Sequence, residues 1–125
     1  MAARKGMTLE QARRLALALP EAKEAPHFNY TSFRVGGKIF ATAPPEATHL
    51  HVFVAEEDRQ AAIALDPHCT EALHWGKQVL GVRIALAGAN PGRVQALLRK
   101  AWARKAPKRL RQADDDMHPT TGLPR

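Results

Sequence analysis

The feature that most constrains the fold is a glycine pair, Gly36-Gly37, between two apolar alternating runs, SFRV and KIFATA. A two-residue Gly-Gly loop suits a type I′ hairpin turn, because both central residues there need a positive φ. A turn of this kind fixes the strand register and sets Phe33 opposite Phe40. We therefore predict a hairpin with both rings on its core face and with the Lys38 ammonium reaching water at its end.

The rest of the chain predicts helices on both sides of this hairpin. Thr8 to Gln11 form a capping box that begins a helix, and Pro20 follows the helix end. Residues 21–26 are interpreted as a linker, 49–54 as a third strand and 55–66 as a short helix with acids in its first turn. A strand over 78–86, with one more possible before it, precedes a helix that Asn90 caps.

This order of elements indicates an α+β fold, an antiparallel sheet with helices packed on one face. The 125 residues suit one domain. We place that domain at 8–112, with disordered segments at 1–7 and 113–125, since the last segment has few apolar residues. No apolar run reaches the roughly 20 residues of a membrane span, and the N-terminus lacks a signal-peptide pattern. The single cysteine, Cys69, fits a reducing compartment, so we expect a cytoplasmic monomer.

The positive charge is concentrated near the C-terminus, where residues 91–112 hold eight bases and no acid. Such a block attracts phosphate-bearing partners, although a solvated helix face gives the same pattern. If the partner is DNA, we expect mainly phosphate contacts, because helix-turn-helix, zinc-finger and RNP patterns are absent from the sequence. The expected contacts are Arg93, Arg99, Lys100, Arg104, Lys108, Arg109 and Arg111, with Lys38 and Lys77 as secondary candidates.

Several segments in order resemble the MmcQ/YjbR family. They are a helix that ends in LP, then HF, SFRVGGKIFAT, HWGKQVLGV, and AW followed by APKRL. The resemblance spans residues 9–110. It implies a domain similar to the frataxin/CyaY fold and a DNA-binding role, and it implies no established catalytic residues. The acidic helix face on which frataxin-like iron binding depends is sparse here.

Other chemistry has weaker support in the sequence. His49 and His51 project from the same strand face, yet a metal site needs further ligands, so we expect neither metal nor cofactor. Cys69 beside His68 shows no positioned base, and an enzyme would need a pocket that holds His74 with a carboxylate. Trp102 falls on the apolar helix stripe, which predicts a core position, whereas the sequence leaves open whether Trp75 is buried or exposed. The alternative to DNA binding is an adaptor that contacts a protein or a small ligand through the sheet or the HWGK segment.

Overall fold

The computed structural model describes residues 6–117, with side chains as far as Asp114. Within this range the chain forms six strands, four α-helices and one 3-10 turn. In chain order they are α1 (Leu9–Leu17), β1 (Lys23–His27), β2 (Tyr30–Val35), β3 (Lys38–Ala43), β4 (His49–Val52), α2 (Glu56–Leu65), β5 (Thr70–Trp75), β6 (Gln78–Ala85), the 3-10 turn (Leu86–Gly88), α3 (Pro91–Lys105) and α4 (Lys108–Met117).

All neighbouring strands of the single sheet are antiparallel, in the order β1-β2-β3-β4-β6-β5. Helix α3 lies between α1 and α2, and the three helices pack against the sheet, which confirms the predicted α+β class. The core forms between the two layers because β-strand side chains alternate between faces and α3 turns one apolar stripe inward. Its largest members include Trp102, Phe33, Phe40, Leu50, Ile84 and Leu98.

The starts of α1 and α3 follow from local chemistry, as the sequence predicts. Thr8 and Gln11 form the capping box, with the Gln11 N–H donating to Thr8 Oγ1 at 3.2 Å and the Thr8 N–H to Gln11 Oε1 at 2.9 Å. The Asn90 side chain caps α3 by accepting from the Arg93 N–H at 3.1 Å. These contacts satisfy backbone donors that the first helical turn leaves unpaired.

The β2–β3 hairpin has the predicted turn and core face but a different register at its phenylalanines. Gly36 and Gly37 have φ values of 57° and 78°, as a type I′ turn requires. A β-bulge then shifts the pairing, so that Phe33 lies opposite Ala41 and not Phe40. A bulge sets two residues of one strand against one of the other. Both rings remain fully buried, and the predicted direct Phe33–Phe40 cross-strand pair is wrong by one residue.

The segment interpreted as a linker is an edge strand, β1, which pairs with β2. Its burial does not alternate, and it contains Pro26, which a strand tolerates at a sheet edge because the edge needs no further donor. Ala25 accepts a 2.7 Å hydrogen bond from the Ser32 hydroxyl across this pairing. The strand therefore forms by tertiary pairing and not by an apolar pattern of its own.

Packed residues continue past the predicted domain bounds of 8 and 112 at both ends. The Gly6 and Met7 N–H groups donate to Ala89 and Leu86 carbonyls, and the Met7 side chain is buried in the core. At the other end α4 runs five residues past the expected boundary at 112, and Asp114 is buried. Arg99 of α3 forms an ion pair with Asp114, and this contact joins the part of α4 beyond residue 112 to α3. The remaining predicted tail residues, 1–5 and 118–125, lie outside the described range.

Candidate nucleic-acid interface

Two hairpin turns project from the same end of the sheet. Val52 of β4 pairs with Ala41 of β3 and with Val82 of β6, which fixes a common row across three strands. From that row β3 runs back to Lys38 and β6 runs back to Gln78, so each extends roughly 10–13 Å in the same direction. We call this the turn end of the sheet, and it is defined by the turns at 36–37 and 76–77.

The C-terminal end of α3 lies at the turn end as well. Gly36 lies close to Pro107, since a Cβ on Gly36 would be 3.2 Å from the proline ring. The Arg104 guanidinium donates to the Phe53 carbonyl at 3.0 Å. The Phe53 backbone N–H donates to the Phe40 carbonyl of β3, and the Phe53 backbone lies against Gly81 of β6. Arg104 is therefore anchored between the two hairpins.

The turn end gathers cations from three separate parts of the chain. Lys38 and Lys77 come from the hairpin turns, Arg104 and Lys105 from the last turn of α3, and Lys108 from the start of α4. Lys105 is partly buried, and the other four are exposed. Among the described side chains, no carboxylate lies within 4.0 Å of any of these five cations. Their charges are therefore available to an external anion.

Three of the predicted DNA contacts are instead paired with acids of this chain. Arg99 donates to the buried Asp114 at 2.5 Å, and Lys100 lies 3.8 Å from Asp58. Arg109 forms two hydrogen bonds to the Glu21 carboxylate, at 3.1 and 3.2 Å. The Arg109 contact lowers the pKa of Glu21 and raises that of Arg109, chiefly through hydrogen bonding to the charged forms. These three cations are poor candidates for phosphate contacts.

The two remaining predicted contacts differ in position. Arg93 lies in the first turn of α3, far from the turn end, and donates to the Leu65 carbonyl at 3.1 Å. Arg111 is exposed on α4, one turn after Lys108. The sequence therefore predicts a single basic helix surface, whereas the structure divides those residues among an acid-paired group, a distant residue and the turn end.

Acidic residues are also present at the turn end. Helix α2 begins three residues after Phe53, and its first turn carries Glu56 and Glu57, both exposed. The Glu56 carboxylate accepts a 3.1 Å hydrogen bond from Gln60. The α2 helix dipole favours these acids at its N-terminus. Both signs of charge are therefore present at this end of the sheet.

The two tryptophans have opposite environments. Trp102 is 1% exposed, and its indole N–H donates to the Pro20 carbonyl at 2.9 Å, which confirms its predicted core position. Trp75 is 73% exposed, next to the turn at 76–77. It ends the edge strand β5, where no further strand covers it. Its exposure could not be deduced from the sequence pattern, because edge position depends on the pairing order.

The sheet face away from the helices carries a row of paired polar residues, Ser32, Thr42, His51, Arg83 and Glu71. Thr42 Oγ1 lies 3.4 Å from His51 Nδ1, and Arg83 donates to Glu71 at 2.6 Å. His49 shares this face, and its Nδ1 contacts the Thr48 hydroxyl at 2.9 Å. Among the described residues no three His, Cys, Asp or Glu side chains gather as a metal site would require.

His51 gives a prediction on pH-dependent stability. Burial, then the charges of Arg83 and His49, lower its pKa from 6.5 to about 4. As the pH falls, His51 of the unfolded chain therefore binds a proton before His51 of the folded chain does. Protonation of His51 thus leaves the free energy of unfolding unchanged above about pH 6.5 and lowers it progressively as the pH decreases toward 4. We expect a loss of about 1 kcal/mol between pH 7 and pH 5, after allowance for partial exposure. Urea unfolding at both pH values measures it.

The His51→Gln variant is the comparison for this prediction, because glutamine keeps polar atoms at the site and does not titrate. The variant should lose most of the pH dependence, with a remainder from His49, whose pKa is also lowered by burial and by Arg83. Tyr30, with its ring centroid 6.1 Å from that of His51, is unchanged in the variant. An equal pH dependence in the variant and the parent would contradict the assignment to His51.

A small cavity of about 150 Å³ lies between α2 and α3. Apolar atoms of Ala62, Leu65, Ile84, Val94 and Leu97 supply much of its lining. Arg93 and Lys100 lie at its rim, as do Asp58 and Asp66, so charges of both signs surround it. His74 does not line this cavity.

Comparison with known proteins gives one match. A family model described as YjbR matches residues 17–104 of the chain, which takes in the whole sheet and most of α3 but not α4. No curated protein and no solved structure matches the chain. The likeness to the frataxin/CyaY fold stays a prediction. Within residues 6–117, no helix combines the length and the hydropathy that a membrane span needs.

Proposed function

The chain belongs to the YjbR family, and we propose that it is a non-catalytic DNA-binding protein that contacts mainly phosphates. The observation that carries the proposal is the cluster of cations at the turn end. Lys38, Arg104 and Lys108 come from three elements, lie at one end of the sheet and have no carboxylate partner among the described side chains. Long cationic side chains in such a cluster match the charge of a phosphate backbone.

The pairing pattern decides which residues carry the contacts. Lys38, Arg104, Lys105 and Lys108 are the primary contacts, with Lys77 and Arg111 beside them. Arg99, Lys100 and Arg109 are left out, because binding a phosphate would first require breaking an internal ion pair. Lys38 thereby changes from an accessory residue to a member of the primary cluster.

The proposed binding depends little on base sequence. The primary cations stand on a hairpin turn and at the ends of two helices, whereas base readout in a major groove uses side chains along one element that enters it. Contacts to phosphates fix the position of a protein on nucleic acid without reading its sequence. We therefore expect similar affinities for unrelated sequences of equal length and strong weakening by salt.

A salt-dependent titration tests the proposal directly. The protein is titrated against labelled duplex DNA, single-stranded DNA and an anionic polymer without bases, between 50 and 200 mM salt. We expect binding to DNA whose log K falls linearly with log salt. An absence of binding to both DNA forms at 50 mM salt, with the fold intact, would remove the proposal.

The second candidate is a small-ligand adaptor, which the cavity between α2 and α3 favours. Its volume of about 150 Å³ is comparable to that of cavities that accept a benzene ring. On the α2 side of the cavity, Ala62 is buried and Ile63 packs partly buried against the core. Failure of the DNA titration would leave this adaptor as the better supported function.

A further inference from the structure

The second hairpin at the turn end exposes a large aromatic ring next to a lysine. Trp75 and Gln78 pair across the Gly76-Lys77 turn, and the Trp75 side chain is 73% exposed. Lys77 is also exposed and has no acid partner among the described side chains. The ring and the charge therefore sit together on a two-residue turn, whose Gly76 adopts a φ of 61°.

The hairpin holds this ring in a defined place. Strand β5 is paired with β6 along its length, from Thr70 to Trp75, so Trp75 ends a hydrogen-bonded ladder and not a free loop. Strand β6 is in turn paired with β4 and reaches the same end of the sheet as Lys38 and Arg104. Trp75 thus lies at the turn end, next to Lys77 in the chain and at the same end of the sheet as Lys38 and Arg104, on a backbone that is already paired.

From this placement we propose that the turn end binds single-stranded nucleic acid in preference to duplex, with an unpaired base stacked on Trp75. The inference rests on the proposed function and names its substrate class. Lys77, Arg104 and Lys38 contact the phosphates, and the indole supplies a contact that a duplex cannot use, because the faces of its bases are covered by stacking on the neighbouring base pairs. Aromatic stacking of this kind tolerates every base.

The expected gain is about 5- to 150-fold in affinity for one stacked base. Charge alone predicts the reverse order, since single strands have the lower charge density and release fewer counterions per contact. A preference for single strands therefore separates stacking from electrostatic attraction. Membranes and protein partners would also accept an exposed tryptophan, but neither accounts for the adjoining Lys77 and the other unpaired cations of the turn end as directly as a phosphate chain does.

The test compares labelled oligothymidylate with an abasic oligonucleotide of the same length and charge, and with a blunt duplex, by fluorescence anisotropy at 50 mM salt. We expect oligothymidylate to bind 5- to 150-fold more tightly than the abasic strand. Trp75→Ala should remove this difference, and Trp75→Phe should keep most of it because a ring remains. Phe28→Ala is the matched control, since Phe28 is 91% exposed at the opposite end of the sheet.

Intrinsic fluorescence gives a second measurement. Trp102 is buried and hydrogen-bonded, so quenching by oligothymidylate should come from Trp75 and should vanish in Trp75→Phe. Equal affinity for oligothymidylate and abasic strands in the parent, or no effect of Trp75→Ala, would overturn the inference while leaving phosphate binding intact. Trp75-dependent binding to anionic vesicles in place of oligonucleotides would also overturn it. Loss of all oligonucleotide binding at 50 mM salt would instead remove the proposed function.

Discussion

Replacing Phe40 or Phe33 with alanine is expected to lower the free energy of unfolding by about 3–5 kcal/mol, the usual range for deleting a buried ring. Both side chains are fully buried in the core between the sheet and α3. The bulge that shifts their pairing keeps both rings on this side, so each deletion leaves a cavity. Urea unfolding of the two variants measures the loss.

Phe28→Ala is the control for this prediction. Phe28 is the same residue type but is 91% exposed, at the turn between β1 and β2, so its removal should change stability by less than about 0.5 kcal/mol. Its φ of 58° is unfavourable for phenylalanine and alanine alike, which makes the comparison fair. A small effect of Phe33→Ala or Phe40→Ala, similar to that of Phe28→Ala, would show that the core is not packed as described.

The sequence predicts the hairpin well because its determinants are local. Two adjacent glycines specify the turn, and the alternating residues on both sides specify which face is buried. The bulge at Phe33/Arg34 shifts the pairing by one residue, and no residue in the hairpin signals it. Predicted helix starts at Thr8 and Asn90 are confirmed for the same reason, since capping involves residues only three positions apart.

The missed elements are those that tertiary contacts create. Strand β1 has no apolar alternation and forms by pairing with β2. Helix α4 continues past residue 112 to include Asp114, whose carboxylate accepts from Arg99 fifteen residues earlier. A sequence pattern within a window of a few residues contains neither partner. The structure therefore extends the domain at the points where a single long-range contact holds the chain.

The sequence predicts the positive charge of the candidate site but not which of its bases form ion pairs within the chain. The sequence identifies the eight bases of 91–112, and nothing in it tells which bases an acid neutralises. Glu21, Asp58 and Asp114 lie outside that block, and the fold brings them to Arg109, Lys100 and Arg99. Of the other bases, Arg104, Lys105 and Lys108 lie at the turn end, because α3 ends where the two hairpins turn, whereas Arg93 lies at the start of α3. Whether a base is free to bind an external phosphate therefore depends on its position along the chain and not on the helix face it occupies.

The largest expected effect on binding comes from removing the turn-end charges together. Four phosphate contacts predict a slope of about −3.6 for log K against log salt on duplex DNA, and a loss of about 150-fold in affinity between 50 and 200 mM salt. We expect a quadruple glutamine variant to bind weakly at 50 mM salt and to flatten the slope toward zero. The substituted residues are Lys38, Arg104, Lys105 and Lys108.

A charge-matched control separates position from net charge. It replaces four cations that each have a carboxylate within 4.0 Å, namely Arg13, Arg14, Lys100 and Arg109. Both variants lose four positive charges, so attraction that depends on net charge alone weakens equally in the two. If the turn end is the interface, the control keeps a slope near −3.6 while the turn-end variant does not. Equal slopes in the two variants, both folded by circular dichroism, would show that DNA binds to the chain's overall charge and not to this end of the sheet.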